Sequence, residues 1–472
     1  MISIADLPDD ILIAIFHRCT APTEDIHFSS LDATSPSWIL ACVSRSWRAI
    51  TITTPLLWAK IRLPLFRYLP NSHWDHNPSA AKIVARTQRL LQLTQKCTLD
   101  IVIIVRRHRA LSMWNELMPI ICATAPRWQR FTSDASDALF AALQVETFPY
   151  LEHLGLDVSE MYARSSAADK ASKRIDCFQN AHALHSLSLN AIEDCTFVLE
   201  LAIPWQNLTA YSTNMGRMLN NSLHLLSCVE ELHAKLEEEE GAEDDTLTAA
   251  PDAVQVLPRL TTLDLDLSDG HTHDGALQPY VRTILRRLHA PSLTKLRLRI
   301  CGFQFISKPL LLHCNLDNLL DLSIHDESPI LSTDIPDFWR LTTPNVEVLH
   351  LSVGRTEVFF NAMLCQLLAF PPVPVPLPRL KVLSLHAPNL SFGSPYTIAR
   401  IALQRRGALD KKLWMPLEEV RVWGESSEFG CGVTAAAVER LNKEYERQKR
   451  SLSSYEDEEL APLHIHAVQS DF

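Results

Sequence analysis

The sequence predicts an α/β chain: a small all-α module at the N-terminus, then an irregular solenoid whose strands form a parallel sheet. Three observations carry this. The phrase apolar-x-x-apolar-x-apolar occurs ten times between Leu151 and Val422. The phrase ends in strict alternation, and residues 1–63 lack it, reading instead as short amphipathic helices.

The ten copies are Leu151/Leu154/Leu156, Leu184/Leu187/Leu189, Leu208/Tyr211/Thr213, Val229/Leu232/Ala234, Leu260/Leu263/Leu265, Leu293/Leu296/Leu298, Leu319/Leu322/Ile324, Val346/Leu349/Leu351, Leu380/Leu383/Leu385 and Leu417/Val420/Val422. Some share a lead-in, since Leu257-Pro258-Arg259-Leu260 recurs as Leu377-Pro378-Arg379-Leu380. Alternation such as Leu263-Asp264-Leu265-Asp266-Leu267 describes a strand with one buried and one wet face, so each copy predicts one strand. The spacing leaves room for a return helix or loop, which parallel strands require. A unit that cannot bury its own apolar face must stack on its neighbours. Upstream, Trp128/Phe131 reads as a degenerate copy and Leu99 to Ile103 as a strand. Ser79 to Lys96 reads as a helix capped by Ser79, with Ile83, Val84, Leu90 and Leu91 on one face and Lys82, Arg86, Arg89 and Lys96 on a solvated one.

In the N-terminal module, Leu7 to Phe16 reads as a short helix, with Pro8 in the first turn and Asp9 and Asp10 where the helix dipole favours acids. Ile39 to Ile50 reads as a second helix, broken before Thr54-Pro55-Leu56-Leu57-Trp58.

Leu-Pro-x-x-Ile-Leu-x-x-Ile-Phe, then Val-Ser-Arg-x-Trp-Arg, then Thr-Pro-Leu-Leu-Trp resembles the F-box, in its fungal F-box-like form. The repeat phrase resembles the leucine-rich repeats. At the position where that family carries Asn or Cys, the copies hold Ser159, Ile192, Gly216, Glu237, Ser268, Cys301, Glu327, Gly354, Pro388 and Glu425, so only Cys301 fits and an irregular array is expected. The F-box resemblance implies docking on a Skp-type adaptor, and through it on a cullin-RING ligase. Carried over residue by residue, it gives Leu7, Pro8, Ile11, Leu12, Ile15, Val43, Arg45 and Trp47 as adaptor-binding residues. The repeats would bind an unknown protein substrate on a concave sheet face. Alternation puts two columns there, and their later part supplies the expected substrate-binding residues Arg297, Arg299, His325, His350, His386 and Trp423. Asp264 and Asp266, one repeat earlier, are expected to pair with part of that basic charge.

The expected organisation is an F-box-like helical domain over 1–63, a helical linker over 64–96, a leucine-rich-repeat solenoid over 97–426, and a C-terminal helix and tail over 427–472. The function implied is the substrate-recognition subunit of an SCF-type E3 ubiquitin ligase. The alternative is a non-catalytic repeat scaffold that recruits no ligase.

Composition points away from an enzyme. Aromatics are 7% of the 472 residues and glycines number only 12, which suits a Leu-rich stack better than a phosphate-cradling or cofactor site. Gly430-Cys431-Gly432-Val433-Thr434-Ala435 fits a dinucleotide fingerprint, but no following strand completes the unit, and a turn before a helix from Thr434 explains it. His271-x-His273-Asp274 and His464-x-His466 lack partners at zinc spacing and read as a polar loop and an alternating strand. No cofactor and no metal is expected. Net charge is −11, seven charges of which fall in the run from Glu237 to Asp245, a solvated insertion that would repel nucleic acid. Eleven scattered cysteines without a Cys-x-x-Cys read as free thiols in a reducing compartment. The absence of a membrane-length apolar run and of a basic leader leads to the expectation of a cytoplasmic or nuclear protein with no membrane partner.

Overall fold

The computed structural model describes residues 7–20, 29–64, 80–104, 111–134, 137–143, 147–159, 173–191, 199–236, 254–267, 284–300, 316–326, 345–353, 377–386, 394–406, 417–424, 428–452 and 463–469. Its class is α/β, built on parallel strands, and the chain divides into two compact units, Met1–Ser212 and Thr213–Phe472.

The first unit opens with helices α1 (Asp9–Cys19), α2 (Pro36–Val43) and α3 (Arg45–Thr53). Leu12 and Phe16 of α1 are buried, and the Phe16 ring lies 4.7 Å from that of Trp47. The single helix expected over Ile39 to Ile50 is two helices. Ser44 is extended (φ −153°), and its hydroxyl accepts from the Trp47 amide at 3.1 Å, which starts α3 afresh. A 3-10 turn, Pro55–Trp58, buries Trp58, whose indole donates to the Thr51 carbonyl at 2.8 Å, and leads directly into β1 (Lys60–Pro64).

The sheet therefore begins before the first copy of the phrase. β1 pairs in parallel with β2 (Leu99–Ile104) across α4 (Ala80–Leu93), so the boundary expected at residue 63 cuts a strand, and the supposed linker is the crossover of a β-α-β unit. Helix α4 buries Ile83, Thr87, Leu90 and Leu93, leaving Lys82, Arg86 and Arg89 exposed. After α5 (Leu111–Cys122) comes β3 (Trp128–Asp134), then α6 (Asp137–Ala142), β4 (His153–Asp157), β5 (Lys173–Ile175), β6 (Ser186–Asn190), β7 (Leu199–Leu201) and β8 (Ala210–Thr213). The order in the main sheet is β1-β2-β3-β4-β6-β8, while β5 and β7 pair separately. Beneath it the rings of Trp128, Phe131, Phe148 and Phe178 make one aromatic cluster, with Trp128 and Phe131 stacked at 4.4 Å.

In the second unit, helix α7 (Gly216–Ser222) precedes β9 (Glu231–Lys235), β10 (Gln255–Val256), β11 (Thr262–Leu267), β12 (Leu288–His289), β13 (Lys295–Ile300), β14 (Asp321–Asp326), β15 (Val348–Val353), β16 (Val382–His386), helix α8 (Ser394–Arg406), β17 (Glu419–Gly424), helix α9 (Glu428–Leu452) and β18 (His464–Gln469). The sheet order is β9-β11-β13-β14-β15-β16-β17-β18, every pair parallel. The middle residues of the phrase stand in one row, Leu232, Leu263, Leu296, Leu322, Leu349, Leu383 and Val420, and each is at most 2% exposed. The alternating strand expected at His464-x-His466 is β18, with Ile465 beside Val420. Helix α9 starts at Glu428 rather than Thr434, so the Gly430 to Ala435 stretch is helical and forms no phosphate loop.

Stacking rests on two repeated backbone devices. The first apolar residue of most copies donates to the carbonyl three residues back, as Leu260 to Leu257, Leu293 to Ala290, Leu319 to Leu316 and Leu380 to Leu377. This tight turn is what the shared lead-ins encode. One carbonyl per repeat then accepts two amides of the next repeat: Thr261 from Thr294 and Lys295, Thr294 from Leu320 and Asp321, Leu320 from Glu347 and Val348.

A third device escaped the sequence reading. The residue just before the phrase donates its side chain to the carbonyl two residues before the phrase of the preceding repeat. Asn207 reaches His182 at 2.9 Å, Ser292 reaches Pro258 at 2.7 Å, Asn318 reaches Pro291 at 2.9 Å, and Asn345 reaches Asp317. These are rungs between turns. Of the ten positions where leucine-rich repeats carry Asn or Cys, only Ser159 and Gly216 lie within the described residues.

Candidate functional site

The N-terminal helices present apolar side chains to solvent. Of the eleven large hydrophobic residues exposed among the described residues, six fall here: Ile11, Ile15, Ile39, Val43, Ile52 and Leu56. Ile11 and Ile15 lie four apart on one face of α1, as do Ile39 and Val43 on α2. Of the adaptor-binding residues expected, Pro8, Ile11, Ile15, Val43 and Arg45 are exposed, and Leu7 and Trp47 are half-buried. Leu12 is 2% exposed, so it holds α1 to the core and offers no contact surface.

In the second unit five of the six residues expected to bind substrate, Arg297, Arg299, His325, His350 and His386, fall on the polar face of one sheet, while the Trp423 backbone shares their register and its side chain lies outside the described residues. Register sets Asp264, Arg297, Ser323, His350, Ser384 and Arg421 in one row. Asp266, Arg299, His325 and Ser352 lie in a second, which His386 and Trp423 continue. From β13 to β17 is four strand spacings, about 19 Å. The small residues Ser323, Ser352 and Ser384 are buried, so the accessible part of the face is its large side chains.

Acids and bases on this face pair across strands. Arg299 Nη1 meets Asp266 Oδ2 at 2.9 Å, as the sequence led us to expect. Asp264 instead meets His233 at 3.3 Å. Asp321 lies between Lys295 Nζ at 3.5 Å and His350 Nε2 at 3.6 Å. Burial lowers the His350 pKa; Asp321 opposes that shift, while Arg421, Lys295 and Arg297 add to it. The Arg421 guanidinium binds Glu419 through two hydrogen bonds, at 3.0 and 2.8 Å, and His386 Nδ1 lies 3.3 Å from the Ser352 hydroxyl.

The first unit holds two features that sequence reasoning missed. A cleft of about 220 Å³ counts Ser30, Ser35, Ser37 and the charged residues Lys60, Asp100 and Arg130 in its lining. Those three charged residues share a register row. Burial raises the Asp100 pKa against the pull of Arg130 and Lys60. The same row continues to His153. There Glu152, His153 and His185 bring one donor atom each to within 4.8 Å of one another, and the two imidazoles meet edge to face with centroids 4.7 Å apart. The signal was present: Glu152-His153 follows Leu151 just as His185 follows Leu184, so the phrase itself sets them side by side. His271, His273, Asp274 and the acidic run from Glu237 to Asp245 lie outside the described residues.

No helix among the described residues is long and apolar enough to cross a membrane. No protein-family model and no curated protein matches the chain. Among solved structures, it is similar to a protein from Bacteroides fragilis known from its crystal structure, 11% identical over 82% of this chain and 81% of that one, with a TM-score of 0.29.

Proposed function

We propose that this chain is the substrate-recognition subunit of an SCF-type cullin-RING ubiquitin ligase: an F-box-like module docks on a Skp-type adaptor, and an irregular leucine-rich-repeat solenoid presents its polar sheet face to a target protein. The observation that carries the reading is the set of exposed apolar side chains on the N-terminal helices. Ile11, Ile15 and Val43 stand in solvent at positions where the F-box resemblance puts adaptor contacts. Exposed aliphatic side chains paired four apart on helices are a recognition surface more than a stability device, because leaving them in water forgoes the gain from burial.

The chain's part is binding. Arg297, Arg299, His325, His350, His386 and Trp423 form the capture face, since arginine and tryptophan are enriched among interface hot spots. Ubiquitin transfer belongs to the associated enzymes.

One observation favours a second reading, a repeat scaffold whose N-terminal helices only cap the sheet. The Ser30 amide donates to the Arg62 carbonyl and the Arg62 amide to the Ser30 hydroxyl, both at 2.9 Å, so this segment covers the free edge of β1. A capping role leaves Ile11 and Val43 without a task.

Affinity purification of the tagged chain separates the two. Wild type should recover a Skp-type adaptor and a cullin. Ile11→Asp with Val43→Asp should lose both at an unchanged melting temperature, because buried apolar anchors contribute about 2 kcal/mol or more each. Equal recovery from wild type and variant would remove the ligase reading and leave the scaffold.

A further inference from the structure

Glu152, His153 and His185 stand where two turns of the first unit enter their strands. Their backbones are fixed by the ladder: Glu152 N donates to the Gln129 carbonyl at 2.8 Å, and the Glu152 carbonyl accepts from both His185 and Ser186 at 3.1 Å. Their side chains are half-buried, neither sealed in the core nor loose in solvent.

Two side chains of the trio, His185 and Glu152, are turned by outer partners in the sense a metal requires. His185 Nδ1 lies 3.3 Å from the Ala183 carbonyl. The carbonyl can only accept, so Nδ1 carries the proton and Nε2 keeps its lone pair. A ligating histidine is held this way by its second nitrogen. On the other side, the Thr98 hydroxyl donates to Gln129 Oε1 at 3.2 Å, which fixes the amide so that Gln129 Nε2 donates to Glu152 Oε2 at 2.9 Å. That relay orients the carboxylate through one oxygen and leaves the other to coordinate. His153 closes the set, its ring edge-on to that of His185.

We propose that Glu152, His153 and His185 form a binding site for a divalent zinc-class ion. Two imidazoles and one carboxylate are borderline donors that suit zinc better than calcium or magnesium, which take oxygen donors almost exclusively. The donor atoms lie within 4.8 Å of one another. An ion about 2.0–2.2 Å from each would draw them together by about 1 Å, a shift that side-chain rotation supplies without moving the strands. Three protein ligands leave a tetrahedral ion one open position, for water or for a donor from a bound partner. Arg130, in register with His153 one strand away, opposes the ion by repulsion.

The test uses the full chain, freed of metal by a chelator, and Co²⁺ as the probe, because its visible absorption reports nitrogen coordination in a four- or five-coordinate site. Wild type should bind one equivalent with that spectrum and release it to Zn²⁺. His153→Gln and His185→Gln should each abolish the spectrum, Gln129→Ala should weaken binding about tenfold through the outer partner, and His464→Gln should change nothing. Zn²⁺ should also protect His153 and His185 of the unmutated chain from acylation by diethyl pyrocarbonate, a reading that depends on no variant. Absence of the Co²⁺ spectrum in wild type, its persistence in both histidine variants, or equal acylation with and without Zn²⁺ would each overturn the site.

Discussion

The rungs between turns make a prediction whose size follows from their geometry. In the variant Ser292→Ala, Asn318→Ala, Asn345→Ala, three side-chain donors that tie neighbouring repeats of the second unit are removed. A hydrogen bond contributes a net of about 0.5–1.5 kcal/mol, and these lie at the surface, where the carbonyls of Pro258, Pro291 and Asp317 regain water, so about 0.5 kcal/mol each is the appropriate figure. The rungs join different pairs of turns and share no atoms, so the losses add to about 1.5 kcal/mol. In a stacked array this falls on the interface between neighbours and lowers local opening energies. Hydrogen–deuterium exchange should therefore run roughly tenfold faster in segments 288–300, 316–326 and 345–353, while segment 183–191, whose rung from Asn207 is intact, keeps its rate. Unchanged exchange in the three segments would show that the rungs are incidental. Equal acceleration in both units would show that stability is lost elsewhere.

Burial pushes the Cys122 and Cys177 thiols up to about 11 and about 12, so at pH 8 iodoacetamide should label the exposed Cys19 and Cys42 and leave these two intact in mass-spectrometric mapping. Burial also holds the His350 pKa below its unfolded value. The unfolded chain therefore binds more protons just below pH 6.5, and this contribution to stability, fully present above that pH, is lost as pH falls through the folded pKa. Denaturant midpoints measured from pH 7.5 to 5 should fall more steeply for wild type than for His350→Gln; parallel curves would refute the burial argument. A Cβ at Gly155 would lie 3.0 Å from Thr132 Oγ1 and 3.1 Å from its Cγ2. Gly155→Ala should cost about 1 kcal/mol by overpacking, and Thr132→Ala should recover it, both read by urea titration.

Strand positions were legible because two-residue alternation and a fixed three-residue lead-in are local signals, and all ten phrases are strands with their middle residues in register wherever pairing is described. The ends were harder. β1 offers only Ile61 and Leu63 before Pro64, too short a run to separate from the preceding turn. The break at Ser44 was masked because Val43-Ser44-Arg45 keeps helical periodicity, and only the capping hydroxyl reveals it. Glu152, His153 and His185 went unread because metal motifs are sought at short spacing along one chain segment, whereas a parallel array brings together residues 32 apart. In such an array the repeat length is the motif spacing.

The polar face of the second unit is likewise assembled from residues one repeat apart. Its charges pair across neighbouring strands in register, Arg299 with Asp266 and Lys295 with Asp321, so a reversal at Arg299 strains the sheet as well as any captured partner. A charge swap separates the two effects. Arg299→Asp alone sets two carboxylates side by side and should lose about 0.2–1 kcal/mol in thermal unfolding, the size of an exposed pair. Adding Asp266→Arg restores the attraction and the stability, but moves the positive charge one strand back, about 4.8 Å. If Arg299 contributes to capture, quantitative proteomics on the double variant should lose substrates despite a wild-type melting temperature. If substrates return together with stability, the pair only stitches the strands, and the capture face lies with the residues of β14 to β17.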